Sequence, residues 1–251
     1  MSNSSALHPI PQASLDNIPS GLPPSMLESI QLLPKNARLV LFTRHSLREP
    51  SDKNGFASFN LPLTVEGRDL AKAWGQWLCK HLNYDLQVHS LSSPIARCVD
   101  TALLMQLGAG VQTQIIHQPL LVEPGSLVTD ITQVNDLFRR VGALAFINLF
   151  LKGNLAGTKS PEQGILDLLQ LFYQYQPKQG QIMVAVSHDT LLSAFLAVLM
   201  GVPQISWTDW ADMMEGAFLW FDDLCFEQSR VNFIWRGKQY QRAVAEILAK
   251  T

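Results

Sequence analysis

The apolar positions of this 251-residue chain come in two rhythms, short unbroken runs and longer stripes at helical spacing. Residues 37–43, ARLVLFT, read as a buried strand. Over 63–82 the apolar Leu70, Trp74, Trp77, Leu78 and Leu82 recur every three or four residues, which predicts a helix with Thr64 as its N-cap. A strand pattern returns at 85–93, a helix at 96–108 closed by Gly108, and a third short strand within 112–121. GQIMVAVS, 180–187, is the most strand-like run in the chain, and an apolar helix follows it over 190–202. GAFLWF (216–221) and RVNFIWRG (230–237) read as two further strands joined by a polar loop. Strands alternating with helices predict an α/β sandwich with a largely parallel sheet. Residues 125–179 break that rhythm: they are mostly helical, with turn signals over 152–164, and are expected as an insertion forming a lid. Residues 1–36 are expected as a loosely ordered arm and 37–251 as one domain.

Composition narrows the setting. With 47% hydrophobic and 16% charged residues the chain can bury one sizeable core. A formal net charge of −2 gives no sign of a nucleic-acid or anionic-membrane partner, so any basic groups that matter must be concentrated locally. Cys79, Cys98 and Cys225 are sparse and widely spaced, neither a disulfide framework nor a zinc site, and suit a reducing compartment. The first 25 residues lack the basic start and apolar run of a secretory signal, and the apolar stretch 190–202 is too short to span a bilayer. A cytoplasmic protein without a membrane partner is therefore expected.

The candidate chemistry follows the strands. Arg44, His45 and Arg48 come after the first, Arg97 opens the helix after the second, and Ser187, His188 and Asp189 end the run IMVAV. Ligands of open α/β sheets bind beyond the carboxyl ends of the strands, so parallel neighbours would bring these groups to one edge. Three guanidiniums there call for an anion, and the planar fork of arginine suits phosphate. A neutral imidazole can attack a phosphoryl group, a carboxylic acid can protonate the leaving oxygen, and arginines can stabilise the charge that develops.

These motifs, in this order, resemble the histidine phosphatase superfamily, the clan of phosphoglycerate mutases and histidine acid phosphatases. RHSLREP (44–50) resembles the acid-phosphatase signature R-H-G-x-R-x-P, with Ser46 in place of the usual glycine. NLPLTVEGRDLA (60–71) resembles the P-L-T-x-x-G segment, LSSPIARCVDTA (91–102) the S-S-P-x-x-R segment, and VSHDTLLSA (186–194) the H-D-T motif. The hairpin from 215 to 239 resembles the acid phosphatases' C-terminal strands. The resemblance implies a three-layer α/β/α sandwich with a mostly parallel central sheet and a small helical lid. It implies His45 as a nucleophile forming a phosphohistidine, and Arg44, Arg48, Arg97 and His188 as ligands of the phosphoryl oxygens. Asp189 stands where the acid-phosphatase branch has its proton donor, and Glu123, in LLVEPG (120–125), stands where the mutase-like branch carries its own. The H-D-T motif and the hairpin favour Asp189. The resemblance implies no metal and no cofactor, and as substrate a small phosphomonoester or another phosphorylated molecule.

Other readings are open at this stage. The same phosphohistidine serves a phosphomutase, and the same fold serves a non-catalytic phosphate-binding module. A metallohydrolase built on His45, His188 and Asp189 is disfavoured, because the arginines would repel a cation. His8, His81, His89 and His117 read as surface or packing residues, and Trp207, Trp210 and Trp220 as core. Specificity is expected from residues 49–62 and from the lid.

Overall fold

The computed structural model describes residues 18–50, 59–82, 84–87, 89–111, 114–222 and 225–251. Eight strands form one sheet: β1 (Arg38–Arg44), β2 (Asp85–Leu86), β3 (His89–Ser92), β4 (Gln114–His117), β5 (Gln181–Ser187), β6 (Gly216–Phe221), β7 (Arg230–Trp235) and β8 (Lys238–Ala243). The spatial order is β4-β3-β5-β1-β6-β7-β8, with β2 pairing beside β5. The first four strands of that order are parallel, and β6, β7 and β8 continue the sheet antiparallel. The expected run 85–93 is two strands rather than one, both paired with β5.

The two faces of the sheet follow from the two-residue period of its strands. Leu39 and Leu41 of β1 and Ile182 and Val184 of β5 point into one core, shared with α1 (Pro24–Ile30), α2 (Val65–His81) and α3 (Ala96–Gly108). Val40, Phe42, Met183 and Ala185 point into the other, shared with α4 (Ile131–Val141), α5 (Ala143–Leu151), α6 (Pro161–Gln174), α7 (Asp189–Met200) and α8 (Val244–Leu248). The result is an α/β sandwich with helices on both faces.

Local signals set several boundaries. The Thr64 hydroxyl accepts the Gly67 N–H at 3.0 Å and starts α2. Gly201, at φ 69°, ends α7. Gly108 does not close α3 by a left-handed turn; it is the last helical residue. Its reason is contact: a Cβ there would lie 1.9 Å from the Lys72 carbonyl oxygen, and one on Gly75 would lie 1.8 Å from that of Met105. The two glycines let α2 and α3 pack backbone to backbone.

Three expectations need correction. Residues 24–30, expected in a loose arm, form α1, whose Met26 and Ile30 are fully buried. Residues 161–174, expected in a lid, form a core helix: the Phe172 ring lies 5.0 Å from that of Phe42 and 6.0 Å from that of Phe195. Trp207, expected in the core, is 65% exposed and leans edge-on against Trp210. The polar edge strand β8 was not anticipated at all; it follows β7 through a tight turn with Arg236 and Gly237 at positive φ.

Candidate active site

The register of the parallel strands assembles the site. Arg44 is level with Ser187 on the neighbouring strand, and Ser92 is level with Val186. His45, His188 and Ser93 therefore leave the sheet side by side, and the His45 N–H donates to the Ser187 carbonyl at 3.0 Å. The two imidazoles are 2% and 1% exposed, with ring centroids 5.6 Å apart. Arg97 comes from the first turn of α3 and is buried with them.

The hydrogen bonds fix the proton on each ring. His45 Nδ1 lies 2.8 Å from the Ser46 carbonyl oxygen, which can only accept. Nδ1 therefore carries the hydrogen, and Nε2 keeps its lone pair. Arg97 Nη2, which can only donate, lies 3.2 Å from His188 Nδ1, so the His188 proton is on Nε2, 3.0 Å from the Ser93 hydroxyl. Both rings are neutral. Burial, then the neighbouring His188, Arg44 and Arg97, hold His45 well below the usual histidine pKa. Burial and Arg97 bring His188 down to about 3, against the opposing pull of Asp189.

The two carboxyl groups have different surroundings. Asp189 forms an ion pair with Arg44 at 2.6 Å and accepts the Thr190 N–H at 2.8 Å. Burial opposes its charge, but Arg44, the Trp210 indole and that N–H outweigh it and hold its pKa below the ordinary carboxylate value. Glu123 is buried and accepts the Thr190 hydroxyl. Its charge also acts on Arg97.

Arg48 is partly buried, and Nη1 donates to the Glu49 carbonyl at 2.7 Å. Its charge acts on both Arg97 and His188, so it belongs to the same positive cluster. Residues 47–49 pair with 62–64 through Glu49 N–H to Pro62 and Thr64 N–H to Leu47, which closes the base of the 49–62 loop. Residues 51–58 of that loop lie outside the described residues.

Ser46 does not adopt the positive φ that its glycine counterpart permits. Its N–H donates to the Thr101 hydroxyl at 3.0 Å and its own hydroxyl to the Gly67 carbonyl at 2.7 Å. The serine thus ties the loop after β1 to α2 and α3. Cys98 lies beneath His188, its thiol pushed up to about 12 by burial, which makes it a packing group.

The sequence motifs brought His45, His188, Arg44, Arg97, Asp189 and Glu123 to one end of the sheet. They did not reveal Thr190 as the link between the two carboxyl groups, or Trp210 as a partner of Asp189. Among the described residues no group of three or more His, Cys, Asp or Glu side chains is arranged to hold a metal ion, and no helix is long and apolar enough to cross a membrane.

No curated protein matches the sequence. Among solved structures, a mycobacterial glucosyl-3-phosphoglycerate phosphatase is similar with TM-score 0.53 and 18% identity, over 80% of this chain and 100% of its own. Mycobacterial hydrolase 2 is similar with TM-score 0.51 and 16% identity, over 86% and 98%. Bacillus stearothermophilus YhfR gives TM-score 0.51 and 17% identity over 74% and 92%. These are likenesses of fold. Residues 40–126, from β1 through Glu123, match the histidine phosphatase superfamily (branch 1). The stretch from β1 through Glu123 is therefore similar to the histidine phosphatase superfamily, and the sheet built around it has the fold of these solved structures.

Proposed function

We propose that this protein is a metal-independent phosphomonoesterase that works through a phosphohistidine on His45. The observation that carries this reading is the state of His45: a buried, neutral ring whose Nδ1–H is tied to the Ser46 carbonyl, with the Nε2 lone pair free among Arg44, Arg97 and His188. In the first step Nε2 attacks phosphorus and the ester oxygen leaves with a proton from a carboxylic acid. In the second step water attacks the phosphohistidine, the carboxylate takes the proton, and inorganic phosphate departs. Arg44, Arg48 and Arg97 stabilise the equatorial oxygens. The incoming dianion reverses the local field and favours a protonated His188 that donates to the phosphoryl group.

The proton donor in this reading is Glu123. The sequence favours Asp189, but a carboxylate paired with Arg44 at 2.6 Å is held ionised and is a poor acid. Asp189 serves instead to orient Arg44. Glu123 lies inside the branch 1 match and is enclosed beside Thr190.

Two measurements test the reading. Labelled substrate should leave phosphate on the wild-type chain that survives an alkaline quench and is lost in acid, and His45→Ala should abolish both label and turnover. Turnover by His45→Ala at the wild-type rate would end the proposal. Leaving groups separate the acids: Glu123→Gln should spare p-nitrophenyl phosphate, whose phenolate needs little protonation, and cripple alkyl phosphates. The same selective loss in Asp189→Asn would return the role to Asp189.

A further inference from the structure

The segment Thr208–Glu215, between α7 and β6, holds none of the groups assigned to the reaction, yet it touches the site at four points. The Glu215 carbonyl accepts the Arg44 N–H at 2.9 Å, and the Ala211 carbonyl accepts Arg44 Nη1 at 2.7 Å. The Met214 N–H donates to the His45 carbonyl at 3.3 Å. The Trp210 side chain faces Asp189 and helps to lower its pKa. One loop therefore fixes the backbone of the nucleophile and both partners of the Arg44–Asp189 pair.

An ion pair between a buried carboxylate and a half-buried guanidinium holds this loop in turn. The Glu215 side chain is 2% exposed. Its Oε1 accepts Arg236 Nε at 2.8 Å, and its Oε2 accepts Arg236 Nη2 at 2.9 Å and the Asp212 N–H at 2.9 Å. The Ser25 hydroxyl, from α1, donates to the same carboxylate. Arg236 also donates to the Trp210 carbonyl at 2.8 Å and to the Thr208 carbonyl. It projects from the turn between β7 and β8, and its guanidinium carbon lies 4.8 Å over the Trp235 ring. Met214 sits between these anchors at φ 62°, a conformation that an L side chain keeps only when its surroundings impose it.

An ion pair with a buried partner is by itself weak evidence for stability, because desolvation offsets the attraction. This pair is spent on geometry: one guanidinium reads a carboxylate and two carbonyls of the same strained loop, and the far side of that loop carries the contacts to Arg44, His45 and Asp189. We propose that Arg236 and Glu215 are positioning residues, whose ion pair sets the direction in which Arg44 presents its guanidinium to a bound phosphoryl group. The inference rests on the phosphatase reading given above. Lysine at 236 keeps the charge but lacks the fork, so it cannot hold Glu215 and both carbonyls together. A displacement of about 1 Å in such a group costs on the order of 10²-fold in rate.

The test uses the full chain, with Arg236→Lys and Glu215→Gln as variants. The readouts are turnover of p-nitrophenyl phosphate and competitive inhibition by inorganic phosphate. The inhibition constant does not depend on how much of the sample is folded, so a merely structural role leaves it unchanged. Each variant should lose about 10²-fold in kcat, and phosphate should inhibit each at least about tenfold more weakly than wild type. Glu215→Gln keeps the size and shape of the side chain and carries the test if Arg236→Lys does not fold. An active wild type whose variants match it in kcat and phosphate inhibition overturns this inference alone. A wild type that neither hydrolyses the ester nor binds phosphate overturns the phosphatase reading and this inference together.

Discussion

Arg97 and His188 are joined by a bond that one protonation state allows, since the guanidinium needs the lone pair on Nδ1. The bond explains how a buried arginine and a buried histidine coexist: the ring stays neutral, and its proton goes to Ser93. It also separates two roles for Arg97. On the proposed reaction Arg97→Ala removes a donor to the transition state, and a loss on the order of 10²–10³ in rate is expected, only partly recovered by lysine. The same change removes a charge that lowers the His188 pKa, so the His188 resonances should titrate at higher pH in the variant than in the wild type, although burial, the larger cause, remains. NMR of the imidazole signals measures this directly. An unchanged His188 titration would mean that the guanidinium does not sit on the ring.

At the scale of elements, α6 is the clearest instance of a segment whose place the sequence did not disclose. Its Ile165, Leu168, Leu169 and Phe172 recur at helical spacing, so the helix itself was readable. What it packs on was not, because the stripe of a core helix and that of a lid look alike until a partner is known. The partner is the sheet: Phe172 meets Phe42, two residues before Arg44. Phe172→Ala should therefore destabilise the whole fold by about 3–5 kcal/mol, as for other buried aromatics. A lid would behave otherwise, with lost activity and an unchanged urea midpoint. The same reasoning covers the other differences. The strands β1 and β5 were legible because they are apolar on both faces. The edge strand β8 presents Lys238, Gln239 and Gln241 and has no such signal. The grouping of Arg44, His45, Arg97 and His188 was legible because each follows a strand within a motif. The pairing of Arg44 with Asp189 was not, because it is a contact across 145 residues of chain. Glu215 and Arg236 lie within the hairpin from 215 to 239, at positions to which the resemblance assigns no role.

At the scale of the molecule, the site makes folding depend on pH. His45 and His188 are buried and neutral, with pKa values below that of an exposed histidine, about 6.5. Below that pH the unfolded chain binds two protons that the folded chain refuses. The stability these rings contribute is thus complete above about pH 6.5 and is lost as pH falls toward the folded values, near 3 for His188. Each ring costs on the order of 1.4 kcal/mol per pH unit once its unfolded form is protonated. Against a total stability of about 5–15 kcal/mol, two such rings remove a large share by pH 5. Asp189 and Glu215, whose pKa values are lowered, act later: their contribution is present above about pH 4 and is lost below it. Urea midpoints of the wild type should therefore hold from pH 8 to 7, fall between 6.5 and 4.5, and fall more steeply below 4. His45→Gln/His188→Gln, in which neither ring can bind a proton, should lose the first descent and keep the second. A wild type equally stable at pH 7 and pH 5 would show that the rings are not buried as neutral groups. Inorganic phosphate should reduce the first descent in the wild type, because a bound dianion offsets the positive cluster and lets a folded ring accept a proton.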